Sequence, residues 1–345
     1  MPKELYIATN NGDMGGGEMM LMALARQARS LGYAVTIVGP AQPNQLIEAA
    51  ADEGFRRIAL PATNRVQYMA SLRAWHARHK DKLLWCNGLV PAVATGGRKN
   101  RIVHLHQLPQ GLNAKLLPFA RRKALTTLVP SRFVQESVPG SEIFSNWVAG
   151  VHADQPEVRK NTEPLRIGYL GRLTTSKGIV TLCEAFEQLR SGARAYSLVI
   201  GGEPVFASEE DTAEVNRALE TVAEHTERLG WTTPEELLSR VDMLVVPSIA
   251  VESFGLVVAE AMSARIPVIV SDAGALPEVL DLPERVFPAG NAQALAERIA
   301  SLGTQIDDHA EQLQENISAS FWRWQEHFSP EAARENVRAI LERFL

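Results

Sequence analysis

The stretch Met243-Leu244-Val245-Val246-Pro247-Ser248, with Glu252-Ser253-Phe254-Gly255-Leu256-Val257-Val258-Ala259-Glu260 just after it, decides the fold. Four consecutive apolar residues suit a parallel strand buried on both faces. Pro247-Ser248 and the residues after them break that strand. Phe254-Gly255 then opens a helix that carries Glu260 and ends near Ala264, and Pro267-Val268-Ile269-Val270 reads as the next strand. The backbone N–H groups at such a helix start have no partner within the helix and form an anion site. A glycine at position 255 lets a ligand approach that backbone closely. Glu252 at the loop tip and Glu260, about a turn and a half along the helix, can accept hydrogen bonds from hydroxyls. A ligand with phosphate in its middle and hydroxyls on both sides is a sugar nucleotide.

The same alternation extends through the chain and predicts an α/β protein with parallel sheets. Near the start, strand Leu5–Thr9, a glycine-rich loop Asn10–Gly17, helix Glu18–Leu31 and strand Ala34–Val38 follow one another. Further strands are expected at Lys82–Trp85, Arg101–Leu105 and Leu128–Val129. Residues Ala153–Pro164 are polar, contain two prolines and lack periodicity, so they read as an interdomain linker. A second domain then begins afresh with strand Arg166–Leu170, loop Gly171–Lys177, helix Gly178–Arg190 and strand Tyr196–Ile200, followed by Gly201-Gly202. The expected division is 1–152, 153–328 and an amphipathic terminal helix within 329–345.

At 345 residues, two domains are the default. An apolar fraction of 46% with 22% charged residues suits a soluble globular chain. No apolar run has the length of a membrane span, and Met1-Pro2-Lys3-Glu4 leads directly into a strand with no signal peptide, so a cytoplasmic location is expected. Cys86 and Cys183 are far apart and read as small core residues in a reducing compartment. No Cys/His cluster has zinc spacing. The net charge of -5 conceals an asymmetry. Residues 1–150 carry 18 Lys+Arg against 9 Asp+Glu, and the remainder 17 against 31. A basic first half suits an anionic or lipid-linked acceptor, or an anionic membrane surface on the inner face of the cell membrane. The stretch Lys115–Leu125, with Arg121, Arg122 and Lys123 among leucines, fits a cationic amphipathic face interrupted by Pro118, or equally a solvated charge run beside core leucines.

Two further segments sit where α/β proteins bind ligands. Asn11-Gly12-Asp13-Met14-Gly15-Gly16-Gly17-Glu18 opens the first helix. Its spacing does not give Gly-x-Gly-x-x-Gly, and no acid ends the second strand at Val38-Gly39-Pro40, which argues against a nicotinamide dinucleotide. Val103-His104-Leu105-His106-Gln107 ends a strand, with His106 nearer its tip and His104 expected in the core or behind the site.

Glu252-x7-Glu260 after a Pro-Ser strand end resembles the retaining glycosyltransferases of family four. That resemblance implies the GT-B fold, with two Rossmann-like domains facing across a cleft and a terminal helix returning to the first domain. It also implies a site in which Gly171, Arg172, Lys177, Gly202, Trp231, Glu252, Ser253, Phe254, Gly255, Leu256 and Glu260 hold a UDP- or GDP-linked sugar. Glu252 would meet the donor sugar and Glu260 the ribose. Arg172 and Lys177 would clamp the diphosphate, stabilising the charge that develops on the leaving phosphate. Gly15, Gly16 and Gly17 would lie over the diphosphate and acceptor, with His106 facing the reacting sugar. The catalytic set implied is His106, Arg172, Lys177 and Glu252. No Asp-x-Asp occurs, and neither metal nor cofactor is expected beyond the sugar nucleotide; nucleic acid is not an expected partner.

The chain departs from that family pattern in places. Gln107 stands where aspartate is usual, His152 follows Ala149-Gly150-Val151 where another aspartate is common, and Arg265 replaces a glycine. Gly274-Ala275-Leu276-Pro277-Glu278 matches it well and is expected to line or support the sugar pocket. The reaction expected is transfer of a hexosyl group, with retention, to a glycan, glycolipid or small-molecule acceptor in cell-envelope or polysaccharide synthesis. A nucleotide-sugar epimerase of the same fold, or a non-catalytic sugar-nucleotide binder, are the alternatives.

Overall fold

A computed structural model describes residues 3–13, 15–152, 163–205, 208–308 and 310–345. The expected linker lies outside the described residues except for Glu163 and Pro164, as does Met14 of the glycine-rich segment. Contacts divide the chain into two compact units. One runs to Asn146 and takes in Pro330–Leu345, and the other is Trp147–Ser329.

The first unit is built on seven parallel strands: β1 (Glu4–Ala8), β2 (Ala34–Pro40), β3 (Arg56–Leu60), β4 (Leu83–Asn87), β5 (Arg101–His104), β6 (Thr126–Val129) and β7 (Glu142–Ile143). Their order is β3-β2-β1-β4-β5-β6-β7. β1 and β4 are neighbours in space although three helices separate them in sequence, so the strand order reverses there. In open parallel sheets a ligand binds beyond the carboxyl ends of the strands at such a reversal. β4 and β5 are buried along their whole length, as strands in the middle of a parallel sheet are. Cys86 is buried in this core. The terminal helix Pro330–Phe344 packs on the helix Gly16–Ser30; Gln27 donates to the Pro330 carbonyl and Arg343 forks onto Glu142.

The second unit has six parallel strands: β8 (Leu165–Leu170), β9 (Tyr196–Gly201), β10 (Thr226–Gly230), β11 (Met243–Val246), β12 (Val268–Ser271) and β13 (Val286–Phe287). The order β10-β9-β8-β11-β12-β13 reverses between β8 and β11. All four residues of β11 are buried, as its unbroken apolar run requires. Cys183 is buried on the helix Ile179–Leu189.

One expectation is corrected. Gly16 and Gly17 are not loop residues, because the first helix starts at Gly16 with Gly15 as its N-cap. Helix start signals favour polar residues, so glycines in a first turn read as loop. Arg265 occupies the family's glycine position without opening the turn. It adopts the left-handed conformation at φ 60 and lays its guanidinium 3.8 Å from the centroid of the Phe321 ring, a cation–π contact that offsets the backbone cost.

Candidate active site

In the second unit, two loops leave the reversal point between β8 and β11. One runs from Gly171 through the short 3-10 turn Thr175–Lys177 into the helix Ile179–Leu189; the other runs from Pro247 to Gly255 and into the helix Leu256–Ser263. Their backbones are joined. The N–H groups of Ile249 and Ala250 both donate to the Ser176 carbonyl at 2.9 Å. Gly178, at φ 77, lies so close to Pro247 that a Cβ there would sit 1.7 Å from its carbonyl oxygen.

This junction brings the predicted cation and acid together. Lys177 Nζ lies 2.5 Å from Glu252 Oε1, and the Ser248 hydroxyl donates to the same oxygen at 2.7 Å. Both charged side chains remain partly exposed, at 26% and 19%, so a ligand can reach them. The Glu252 backbone is held from behind. Its carbonyl accepts from the Ala275 N–H at 2.8 Å, and a Cβ on Gly274 would stand 2.3 Å from that carbonyl oxygen. The Gly274-Ala275 run therefore supports the acid.

Arg172 is exposed, and its carbonyl accepts from the Tyr169 hydroxyl at 2.7 Å. Burial raises the Tyr169 pKa, the Glu252 carboxylate raises it further and the Arg172 guanidinium opposes them. Gly171 and Gly202 belong to the backbone beneath Arg172. Gly202, at φ 141, presses on the Gly171 carbonyl so closely that a Cβ would sit 1.8 Å from that oxygen.

Gly255 is the N-cap of Leu256–Ser263 at φ 103, and no side chain caps the helix. The N–H groups of Leu256 and Val257 precede the first donor within the helix, Val258, whose N–H bonds to the Gly255 carbonyl at 3.1 Å. Ser253 and Leu256 are partly exposed. Phe254 can serve the site through its backbone. Its ring is 2% exposed and packs edge-on against Phe328 at 5.2 Å, leaving only its backbone for a ligand. Glu260 is half-buried, and its pKa is raised to about 7, first by desolvation and then by the Glu235 carboxylate. Trp231 is 75% exposed, just before the helix Pro234–Leu238 that carries Glu235, so it is no core aromatic.

The first unit holds a separate cluster at its own reversal point. Gly15 caps the first helix without a side-chain bond, and Glu18 in the first turn accepts from Thr9 and Asn11. Gly17 faces His106, whose ring carbon Cδ2 would lie 3.7 Å from a Cβ added at Gly17. His106 Nε2 is 2.6 Å from Asn87 Oδ1. His104, fully in the core, accepts at Nδ1 from the Trp85 indole at 3.3 Å, and the two imidazole centroids are 4.1 Å apart. Burial lowers the pKa of both rings, that of His106 to about 4, so both are neutral near pH 7.

Sequence reasoning missed Ser248 and Asn87. The signal for Ser248 was a hydroxyl four residues before Glu252, at a strand end; an asparagine ending an apolar strand reads only as a turn. Among the described residues, no group of three or more His, Cys, Asp or Glu side chains is placed to hold a metal ion. No helix among them is long and apolar enough to cross a membrane.

Residues 151–319 match the family model described as glycosyl transferases group 1. The phosphatidyl-myo-inositol mannosyltransferase of Mycolicibacterium smegmatis is 24% identical over 336 residues, covering 85% of this chain and 82% of that protein. The lipopolysaccharide 1,2-N-acetylglucosaminetransferase of Salmonella typhimurium is 32% identical over 121 residues, covering only 33% of this chain and 32% of that one. Among solved structures, HepE of Anabaena in complex with UDP superposes with a TM-score of 0.83 at 17% identity, over 99% of this chain and 100% of its own. That likeness establishes the GT-B architecture of two parallel-sheet α/β domains. The resemblance to the group 1 glycosyl transferases thus covers residues 151–319, within the second unit.

Proposed function

We propose that this enzyme transfers a hexosyl group, with retention, from a UDP- or GDP-linked sugar to a glycan, glycolipid or small-molecule acceptor in cell-envelope or polysaccharide synthesis. The observation that carries the reading is the Lys177–Glu252 pair, held by Ser248 at the reversal point of the second sheet beside an uncapped helix start. The diphosphate lies against Lys177, Arg172 and the N–H groups after Gly255. As the glycosidic bond breaks, charge accumulates on the leaving phosphate, and these fixed donors stabilise it. The leaving phosphate takes the acceptor proton on the same face, and no side chain serves as nucleophile. Glu252 binds the sugar, Glu260 the ribose, and the loop bearing Trp231 the base. In this scheme no metal is required, because the two cations and the helix start carry the diphosphate charge.

The HepE protein was crystallised with UDP and with UDP-glucose, which supports a uridine donor. The mannosyltransferase relative, whose name specifies phosphatidyl-myo-inositol, supports a lipid-linked acceptor. The acceptor is assigned to the first unit, where residues 82–135 contain nine Lys and Arg and no Asp or Glu. Within that stretch the helix Leu112–Arg121 buries only Ala120 and exposes Leu112, Leu116 and Phe119. Exposed apolar residues among cations suit the anionic surface of the inner membrane leaflet, to which a cytoplasmic enzyme would bind peripherally.

Thermal shift with UDP, GDP, ADP and their sugars tests the reading, since a bound ligand stabilises by mass action. One nucleotide class should raise the transition, and Glu252→Ala should abolish donor hydrolysis. Turnover of a donor sugar to its epimer without an acceptor would instead favour the epimerase. Binding without any turnover would favour the non-catalytic binder.

A further inference from the structure

Lys177 ends the 3-10 turn Thr175–Lys177, and the backbone of that turn sets where its ammonium can reach. The N–H groups that begin a helical turn have no partner within it and are met by capping side chains. Thr174 stands at the N-cap, but its hydroxyl pairs with that of Ser176 at 3.0 Å. The acceptor for the first N–H of the turn comes from another helix. Asp211, in the first turn of the helix Glu209–Thr221, accepts at Oδ1 from the Thr175 N–H at 2.9 Å and from the Thr175 hydroxyl as well. Asp211 is itself anchored, because its own N–H donates to the Ser208 hydroxyl at 3.1 Å. The connection from β9 to this helix also holds the start of the basic loop, where the Leu173 N–H donates to the Glu203 carbonyl at 3.0 Å.

We infer that Asp211 is a positioning residue for Lys177: it caps the turn Thr175–Lys177 from a separate helix and so holds the ammonium beside Glu252, where the diphosphate is proposed to lie. The inference rests on the proposed role of Lys177 in stabilising the leaving phosphate. It brings the connection after β9 into a site otherwise built from the loops after β8 and β11. Two successive residues of the turn are then fixed from outside it. Thr175 is held by Asp211, and the Ser176 carbonyl by the N–H groups of Ile249 and Ala250. A cation stabilises developing charge best when it is already in place and need not move to meet it. A turn that has lost its cap lets the ammonium spread over a wider volume, so the loss falls on the transition state. What Thr175 requires is an acceptor rather than a charge, and the amide oxygen of an asparagine can accept both of its hydrogen bonds.

A double-mutant cycle separates positioning from general support of the fold. The unaltered protein, Asp211→Ala, Lys177→Met and the pair are compared with UDP-glucose or GDP-mannose, whichever turns over, with enzyme raised until the slow variants are on scale. Asp211→Ala should lower kcat about tenfold, the order of one hydrogen bond to a charged group, and leave the donor KM within about twofold. In the Lys177→Met background the same change should lower kcat by less than about twofold, because the ammonium it positions is gone. An equal loss in both backgrounds would mean that Asp211 only supports the fold, and would overturn the inference. An unchanged kcat in Asp211→Ala, with Lys177→Met slowed, would also overturn it and leave the proposed role of Lys177 standing. Asp211→Asn keeps the acceptor and should hold kcat within about threefold of the unaltered protein; a rate as low as that of alanine would refute the capping argument. Should Asp211→Ala not fold, Thr175→Val takes its place in the cycle. It deletes only the hydroxyl bond, with an expected loss of about threefold. Absence of turnover with every donor, or turnover by Lys177→Met at the unaltered rate, would fail the proposed function and the inference with it.

Discussion

Replacing Glu260 by glutamine should stabilise the protein and weaken its ligand binding at once. Glu260 has an ordinary carboxylate value of 4.5, raised to about 7 by burial and by Glu235. Its folded value thus lies above its unfolded one. The protonated form favours folding, and that contribution is complete below about pH 4.5 and lost as the pH rises through about 7. At 1.36 kcal/mol per pH unit, the ionised acid costs the fold up to about 3 kcal/mol at pH 8, a ceiling lowered by the part of the side chain that water still reaches. Glutamine copies the neutral acid at every pH. Urea unfolding at pH 5, 6, 7 and 8 should show the variant near wild type at pH 5 and progressively more stable toward pH 8. Calorimetric titration with the nucleotide that shifts the melting temperature should show about 10- to 100-fold weaker binding, since a charged hydrogen bond to hydroxyls is worth about 1.5–3 kcal/mol. Parallel stability curves from pH 5 to 8 would refute the burial argument. Unchanged affinity would refute the assignment of Glu260 to the ligand.

Three other perturbations follow from the geometry. Gly178→Ala places a methyl inside the Pro247 carbonyl at a positive φ, and should destabilise the second unit by more than about 2 kcal/mol in chemical denaturation. Lys177→Met leaves Glu252 with the Ser248 hydroxyl alone, and should lower kcat about 100-fold or more while circular dichroism stays native. Leu112, Leu116 and Phe119 changed together to serine should abolish sedimentation with phosphatidylglycerol vesicles; the unaltered protein should bind these, less in high salt, and ignore neutral phosphatidylcholine vesicles.

Much of the fold was legible because a strand covered on both faces must be apolar throughout. β11 spans the four residues read from sequence, and β8 and β9 differ by one residue at an end. β3 escaped notice because it lies at the sheet edge and begins Arg56-Arg57, where one side meets water. At the site, the order of basic loop and acidic loop could be read, since each follows a strand that the reversal brings alongside the other. The Lys177–Glu252 contact could not be read, because it depends on Ser176 and Gly178 clamping two loops about 75 residues apart in sequence. The sequence likewise leaves open that the Phe254 ring is buried while Trp231 is exposed. An aromatic beside a glycine is equally at home in a core or on a rim until the neighbouring helices are in position. Ser248 and Asn87 are short polar residues at strand ends, where turn-forming use is so common that no local pattern marks the two that hold a functional side chain.

The shared oxygen of Glu252 has a consequence for selectivity. With no ligand bound, the ammonium of Lys177 is already neutralised by that oxygen. A phosphate that recruits Lys177 strands the carboxylate, which keeps only the Ser248 hydroxyl. Inorganic pyrophosphate and a bare nucleotide both leave this vacancy, and a free sugar brings nothing to dislodge the ammonium. A molecule that carries an anion and a polyol at the correct separation exchanges both halves of the pair in one event. The resting ion pair therefore behaves as a lock with two tumblers, opened by the conjugate and resistant to either fragment.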